Sequence, residues 1–207
     1  MNKVEIRTIA DKYRPKLREE NGQSTRIIEG YAAVFNVLSE VLLDYDEDNY
    51  IFREVISPTA ITQERLKAYD IKMTMFHNRE KLLARSRYGA GSLTLSVDDT
   101  GLKFSAEMPN TDLGNEALEM VKRGDIVGAS FAYLNSKDGV TWSYEGEVPT
   151  RTVTDIIDIQ DVTLAIDPAF NQTSVSLREL SRPAERPTKR IKITHYINDL
   201  KIGEYDT

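Results

Sequence analysis

"GSLTLSVDDTGLKFSAEM", residues 91–108, consists of two runs of strand-like length separated by Asp98-Asp99-Thr100-Gly101. Runs of strand-like length broken by an acidic, glycine-ended tetrapeptide read as a β-hairpin with a tight turn. Outward from it the same texture continues. Upstream lie "RIIEGYAAVFN" (26–36), "IFREVI" (51–56) and "IKMTMF" (71–76). Downstream lie "IVGASFAYL" (126–134), "GVTWSYEG" (139–146) and "RTVTDIIDIQDVTLAI" (151–166). Two segments break the pattern. "SPTAITQERLKAY" (57–69) offers Ser57 as an N-cap and Pro58 at the first helical position, where a missing N–H costs nothing. "TDLGNEALEMVKRG" (111–124) places Thr111 as cap, acids early, Lys122 and Arg123 in the last turn and Gly124 as the stop, in keeping with the helix dipole and the glycine C-cap. The expectation is a mainly β (α+β) domain: a small antiparallel barrel or sandwich with short helices on its outside.

The bulk numbers narrow the function classes. A chain of 207 residues, 40% hydrophobic and 29% charged, suits one compact domain with a modest tail. A net charge of −6 and a pI near 5.1 argue against a general nucleic-acid binder, whose footprint is a basic face. There are no cysteines, which removes disulfides, cysteine zinc sites and thiol nucleophiles. Neither an apolar signal segment nor a run of membrane-spanning length occurs, so a cytoplasmic protein is expected. Phosphate-binding glycine motifs are absent. "DYDEDN" (44–49) resembles the start of a calcium loop, but the sixth position is Asn49 and the twelfth Val55, where glycine and glutamate are needed. It reads as a solvated acidic loop, and no cofactor or metal is expected. "SRPAERPTKR" (181–190) has two prolines and four basic residues, the composition of a linker. The domain is therefore expected to span 1–180, with a linker and tail over 181–207 in which "IKITHYINDL" (191–200) forms a last strand or awaits a partner.

Only two histidines are present, and His195 lies beyond the linker, so histidine chemistry in the globular part falls to His77. It follows the strand-like "IKMTMF" and opens the polar "HNREK", a strand-to-loop junction where functional side chains are often presented. The competing reading is a histidine merely hydrogen-bonded at a strand end. Ser130, in "RGDIVGASFAY" (123–133), shares its strand face with Gly128 and Ala132. Those small residues clear space, either for close packing or for a substrate. A serine hydroxyl becomes a nucleophile when a neutral imidazole can accept its proton, and the imidazole needs a carboxylate on its other nitrogen. Asp155, Asp158 and Asp161 are the available acids. Residues 128–132 read G-A-S-F-A, one short of the hydrolase elbow G-x-S-x-G, but that elbow requires a helix directly after the serine, whereas "FAYLNSKDG" continues as strand.

Five blocks in this order resemble the prohead maturation proteases of tailed bacteriophages: "EGYAAVFN", "FREVISPTAI", "MFHNREKLLARSRYGAGSLTLSVDDTGLKFSAEMPNT", "RGDIVGASFAY" and "IQDVTLAIDPAF". The resemblance implies a serine endopeptidase in which His77 and Ser130 are catalytic and Asp161 is the acid. Asp161 stands where the family pattern has glutamate, so its carboxylate must come closer by one methylene; Asp158 is the reserve. It also implies a barrel like that of the herpesvirus assembly proteases, and with it a homodimer. The implied partners are the phage major capsid protein and scaffold protein, with no membrane or specific nucleic acid. The implied setting is the immature prohead within the host bacterial cytoplasm, with self-cleavage expected in 181–190. The rival classes are a non-catalytic capsid-assembly or scaffold-binding protein and a small-molecule esterase.

Overall fold

A computed structural model describes residues 5–8, 13–44 and 50–166. Most of the acidic loop at 44–49, the boundary near Leu180, the linker and the segment 191–200 lie outside the described residues. In chain order the first strands are β1 (Glu5–Thr8), β2 (Lys16–Glu20), β3 (Gln23–Val34), β4 (Leu42–Asp44) and β5 (Tyr50–Ile56), then helix α1 (Gln63–Leu66). There follow β6 (Asp70–Met75), β7 (Asn78–Arg87), β8 (Ala90–Gly91), β9 (Leu93–Val97) and β10 (Gly101–Glu107). Helix α2 (Asp112–Arg123) precedes β11 (Gly128–Asn135), β12 (Val140–Ser143), β13 (Thr150–Val153) and β14 (Ile156–Ala165).

The hairpin at 91–108 forms as expected, with Val97 opposite Leu102. Asp98 closes its turn by accepting from the Thr100 and Gly101 N–H groups at 2.8 and 3.0 Å. A Cβ on Gly101 would sit 2.0 Å from the Ala33 carbonyl oxygen, so only glycine lets β10 approach β3 here. Helix α2 also forms as read: Thr111 accepts from the Gly114 N–H, and Gly124 takes a left-handed φ of 81° at the C-cap.

The strands make three sheets, ordered β1-β11-β14-β6-β7-β8, β2-β3-β10-β9 and β12-β13-β5-β4. The fold is mainly β. Among the described residues no strand order closes into a ring, and two pairings are parallel, β14 with β6 and β13 with β5, a departure from the antiparallel barrel or sandwich expected. The core lies between one face of the six-stranded sheet, with Met73, Met75, Phe131, Tyr133, Val162 and Leu164, and Ile28, Leu102 and Phe104 of the β3 sheet. Among the described residues no helix is long and apolar enough to cross a membrane.

The helix expected over 57–69 shrinks to four residues capped by Thr62. Ala60 and Ile61 are buried in the core, and the Ala60 carbonyl accepts from the Ile156 N–H at 2.9 Å. That tertiary bond takes the acceptor a helix would need, and Ser57 caps only a local turn by accepting from the Thr59 N–H. Likewise 151–166 is two strands, β13 and β14, not one.

Among the described residues one charged pair, Arg151 with Glu54, is fully enclosed. Arg151 Nε donates to Glu54 Oε2 at 2.7 Å and the Tyr133 hydroxyl donates to Oε1 at 3.0 Å, with 2% of either charged side chain exposed. The pair ties β5 and β13 to β11, the strand of Ser130. Arg151→Met removes the guanidinium that bonds the buried Glu54 carboxylate and should cost about 3–5 kcal/mol in urea unfolding. Combining it with Glu54→Gln should recover part of that loss.

Candidate active site

His77 is not at a strand-to-loop junction. It is the second residue of the two-residue turn between β6 and β7, in which Met75 pairs with Asn78. Phe76 and His77 both adopt left-handed backbone, with φ of 57° and 54°, the signature of a type I′ hairpin turn. The polar "HNREK" that follows therefore continues as strand β7. The turn is anchored by its own amides: Phe76 N–H donates to the Leu164 carbonyl at 3.2 Å and His77 N–H donates to Thr163 Oγ1 at 2.9 Å. Both acceptors belong to β14.

Ser130 lies within β11, where strand continues on both sides of it, so the hydrolase-elbow geometry is absent. It stands opposite Thr163 of β14, while Ala132 stands opposite Asp161. Facing residues of adjacent strands project to the same side. Ser130, Ala132, Thr163 and Asp161 therefore share the sheet face opposite the core residues Phe131, Val162 and Leu164. The register of β14 on β11 shifts between Ala132 and Tyr133, so Asp161 follows Ile159 with Gln160 left over as a bulge residue. Without that bulge Asp161 would project with Ile159 into the core.

The turn brings the imidazole back over this face. His77 Nδ1 lies 2.7 Å from Asp161 Oδ1, and His77 Nε2 lies 2.9 Å from Ser130 Oγ. A carboxylate accepts, so Nδ1 carries the proton it donates to Asp161; Nε2 then presents a lone pair to the Ser130 hydroxyl. The side chains of His77 and Asp161 are each 10% exposed, and Ser130 has no exposed surface. The structure thus brings His77, Ser130 and Asp161 together, and the shorter aspartate reaches.

The other two acids serve elsewhere. Asp155 is paired with Arg65, and its hydrogen bonds from Ser136 and Arg65 hold its carboxyl below the usual range. Asp158, opposite Leu134, is half-buried, and burial pushes its carboxyl up. Nearby, Asp70 accepts from Arg85 Nε at 2.6 Å, and Arg85, then Lys72, hold its carboxyl well below the carboxylate range. Thr163, which anchors the His77 amide, went unnoticed in the sequence; the signal was its place two residues after Asp161, hence on the same strand face. Among the described residues no cluster of three or more His, Asp or Glu could hold a metal ion.

Residues 13–186 match the family described as caudovirus prohead serine protease. The chain belongs to that family. It is also similar to the solved bacteriophage T4 capsid assembly protease, gp21, at 12% identity over 78% of this chain and 98% of that one, with a TM-score of 0.48. No curated protein matches.

The environments of Asp158 and Asp161 separate them experimentally. A carboxyl whose folded-state pKa is raised binds its proton more tightly in the folded chain, so its contribution to stability is intact at low pH and is lost as pH rises through that value. Asp158→Asn should therefore raise the thermal midpoint at pH 7 and give no gain below about pH 4, near the unperturbed carboxyl range. On the catalytic reading proposed below, Asp158→Asn should leave labelling of Ser130 intact, whereas Asp161→Asn should abolish most of it; calorimetry across pH with serine labelling reads both effects.

Proposed function

We propose that the protein is a serine endopeptidase in which Ser130 is the nucleophile, His77 the general base and then acid, and Asp161 the group that orients the imidazole. The observation that carries this reading is the single ring of His77 spanning a carboxylate at 2.7 Å and a hydroxyl at 2.9 Å. In the proposed reaction the Ser130 oxygen attacks the scissile carbonyl while its proton passes to His77 Nε2. Collapse of the tetrahedral intermediate breaks the C–N bond, and the proton is delivered to the leaving amine. Water, deprotonated by the same nitrogen, then attacks the acyl ester; the bond from the acyl carbon to Ser130 Oγ breaks, and His77 Nε2 returns the proton to that oxygen. Asp161 keeps Nδ1 protonated and stabilises the imidazolium formed on the way.

Family membership supports the substrates: the scaffold protein, or the scaffolding segment of the major capsid protein, cut inside the immature prohead in the host cytoplasm. The proposed division of the chain is a protease domain over 1–180 and a linker and tail over 181–207. Self-cleavage within 181–190 would detach the tail. A homodimer and a barrel like that of the herpesvirus assembly proteases belong to the same reading. The alternative is a scaffold-binding protein that cuts nothing, for which the His77 contacts would be only structural.

A fluorophosphonate, which forms a phosphonyl ester with an activated serine and expels fluoride, separates the two. The wild type should be labelled at Ser130, Ser130→Ala not at all, and His77→Gln slower by about a thousandfold or more. Mass spectrometry of the purified chains should find C-terminal truncation in the wild type and an intact chain in Ser130→Ala. An unlabelled wild type whose fragments match those of Ser130→Ala would sink the peptidase reading.

A further inference from the structure

Among the described residues, three two-residue turns have both residues left-handed: Asn21-Gly22 (φ 52° and 75°), Tyr88-Gly89 (55° and 84°) and Phe76-His77 (57° and 54°). The first two end in glycine, which adopts this conformation freely. The third ends in His77, whose Cβ makes this conformation unfavourable, so something outside the turn must hold it. Thr163 is the group in place to do so. Its hydroxyl accepts from the His77 N–H at 2.9 Å and from the Thr74 hydroxyl at 3.0 Å, and donates to the Thr74 carbonyl at 2.9 Å. One donor and two lone pairs are thereby all used, in a residue with no exposed surface. Thr163 also stands directly opposite Ser130. The backbone of the histidine is thus pinned to the residue facing the serine it must reach.

We propose that Thr163 is a positioning residue for the His77–Ser130 pair, an inference resting on the peptidase reading for its effect on rate. Thr163→Val keeps the shape, removes the acceptor and strands the His77 amide; Thr163→Ser keeps the acceptor. Fluorophosphonate labelling of Ser130 should slow by about ten- to a hundredfold in Thr163→Val and stay within about twofold of wild type in Thr163→Ser. Amide hydrogen exchange at His77 should accelerate in Thr163→Val alone. Should the valine variant fold poorly, Thr163→Ala removes the same acceptor without adding bulk and should behave likewise. Wild-type exchange at His77 in a folded variant lacking the hydroxyl overturns the proposal. An unlabelled wild type overturns only the peptidase reading, since His77 exchange still decides whether Thr163 holds the turn.

A second observation stands apart. Ser130 has no exposed surface, and the outer edge of its strand is covered by β1, which runs antiparallel with Thr8 opposite Ser130 and Ile6 opposite Ala132. An extended peptide adds to a sheet through just such an edge. We infer that β1 occupies the line on which a substrate segment binds, so that the N-terminal strand must leave before the site can work. It is four residues long and pairs with β11 alone in its sheet, which suits a displaceable element.

The absence of cysteine permits a clean test in the full chain. Directly opposed strand positions lie within disulfide reach, so Ile6→Cys with Ala132→Cys should lock β1 when oxidised. The oxidised form should label at Ser130 at least about tenfold more slowly than the same protein after reduction, a free-energy difference of about 1.4 kcal/mol. A chain lacking residues 1–12 should label faster than the full chain, and equal rates in both comparisons overturn the inference. Absence of labelling in every form, wild type included, would instead count against the peptidase reading.

Discussion

Three hydroxyl residues standing in one row across three strands, Ser130 on β11, Thr163 on β14 and Thr74 on β6, set the geometry on which the site depends. Strand pairing fixes their spacing to within the ladder geometry, so the row is as rigid as the sheet itself. The histidine does not belong to the row. It approaches from the turn that ends β6, and its position relative to Ser130 is determined where that turn touches β14. One backbone hydrogen bond to Thr163 and one to the Leu164 carbonyl make that connection. The sheet supplies precision, and a strained two-residue turn converts it into the placement of a ring.

The parallel pairing of β14 with β6 is what allows this. The two strands are far apart in sequence, and strands that pair in parallel run the same way, so the end of β6 lies beside the latter half of β14, with Met75 opposite Leu164. A chain that turns back there folds His77 over Thr163 and Asp161. Were the two strands antiparallel, the end of β6 would lie beside the start of β14 instead. Nothing in local composition distinguishes the two cases, because parallel and antiparallel strands draw on the same residues and the pairing is settled by tertiary packing.

What could be read from the sequence follows the range of the interaction involved. The hairpin at 91–108 and helix α2 were legible because Asp98, Gly101, Thr111 and Gly124 act within four residues of themselves. The Asn21-Gly22 turn, equally local and flanked by β2 and β3, was legible in principle as an Asn-Gly dipeptide, yet β2 was not anticipated. The segment at 57–69 misled because its capping signals are sound, but Ala60 and Ile61 are drawn into the core and the Ala60 carbonyl is taken by Ile156. His77 could be singled out by elimination, whereas Ser130 was singled out by the resemblance. The choice among Asp155, Asp158 and Asp161 was not accessible from residues alone, since a single bulge residue, Gln160, decides which of them projects towards the histidine.

That bulge also explains how an aspartate suffices where a longer acid was expected. Ile159 and Val162 both point into the core although three positions apart, which strict alternation forbids and one extra residue permits. The inserted residue places Asp161 opposite Ala132, the smallest side chain that could sit there and still have a Cβ. A long or branched side chain at 132 would fill the space above β14 through which the carboxylate meets the imidazole. With alanine there, Asp161 stands close enough to bond Nδ1 at 2.7 Å. The small residues around the serine are thus part of the same solution as the short acid: they let the ring of His77 settle low on the sheet, within reach of a carboxylate and a hydroxyl held by neighbouring strands.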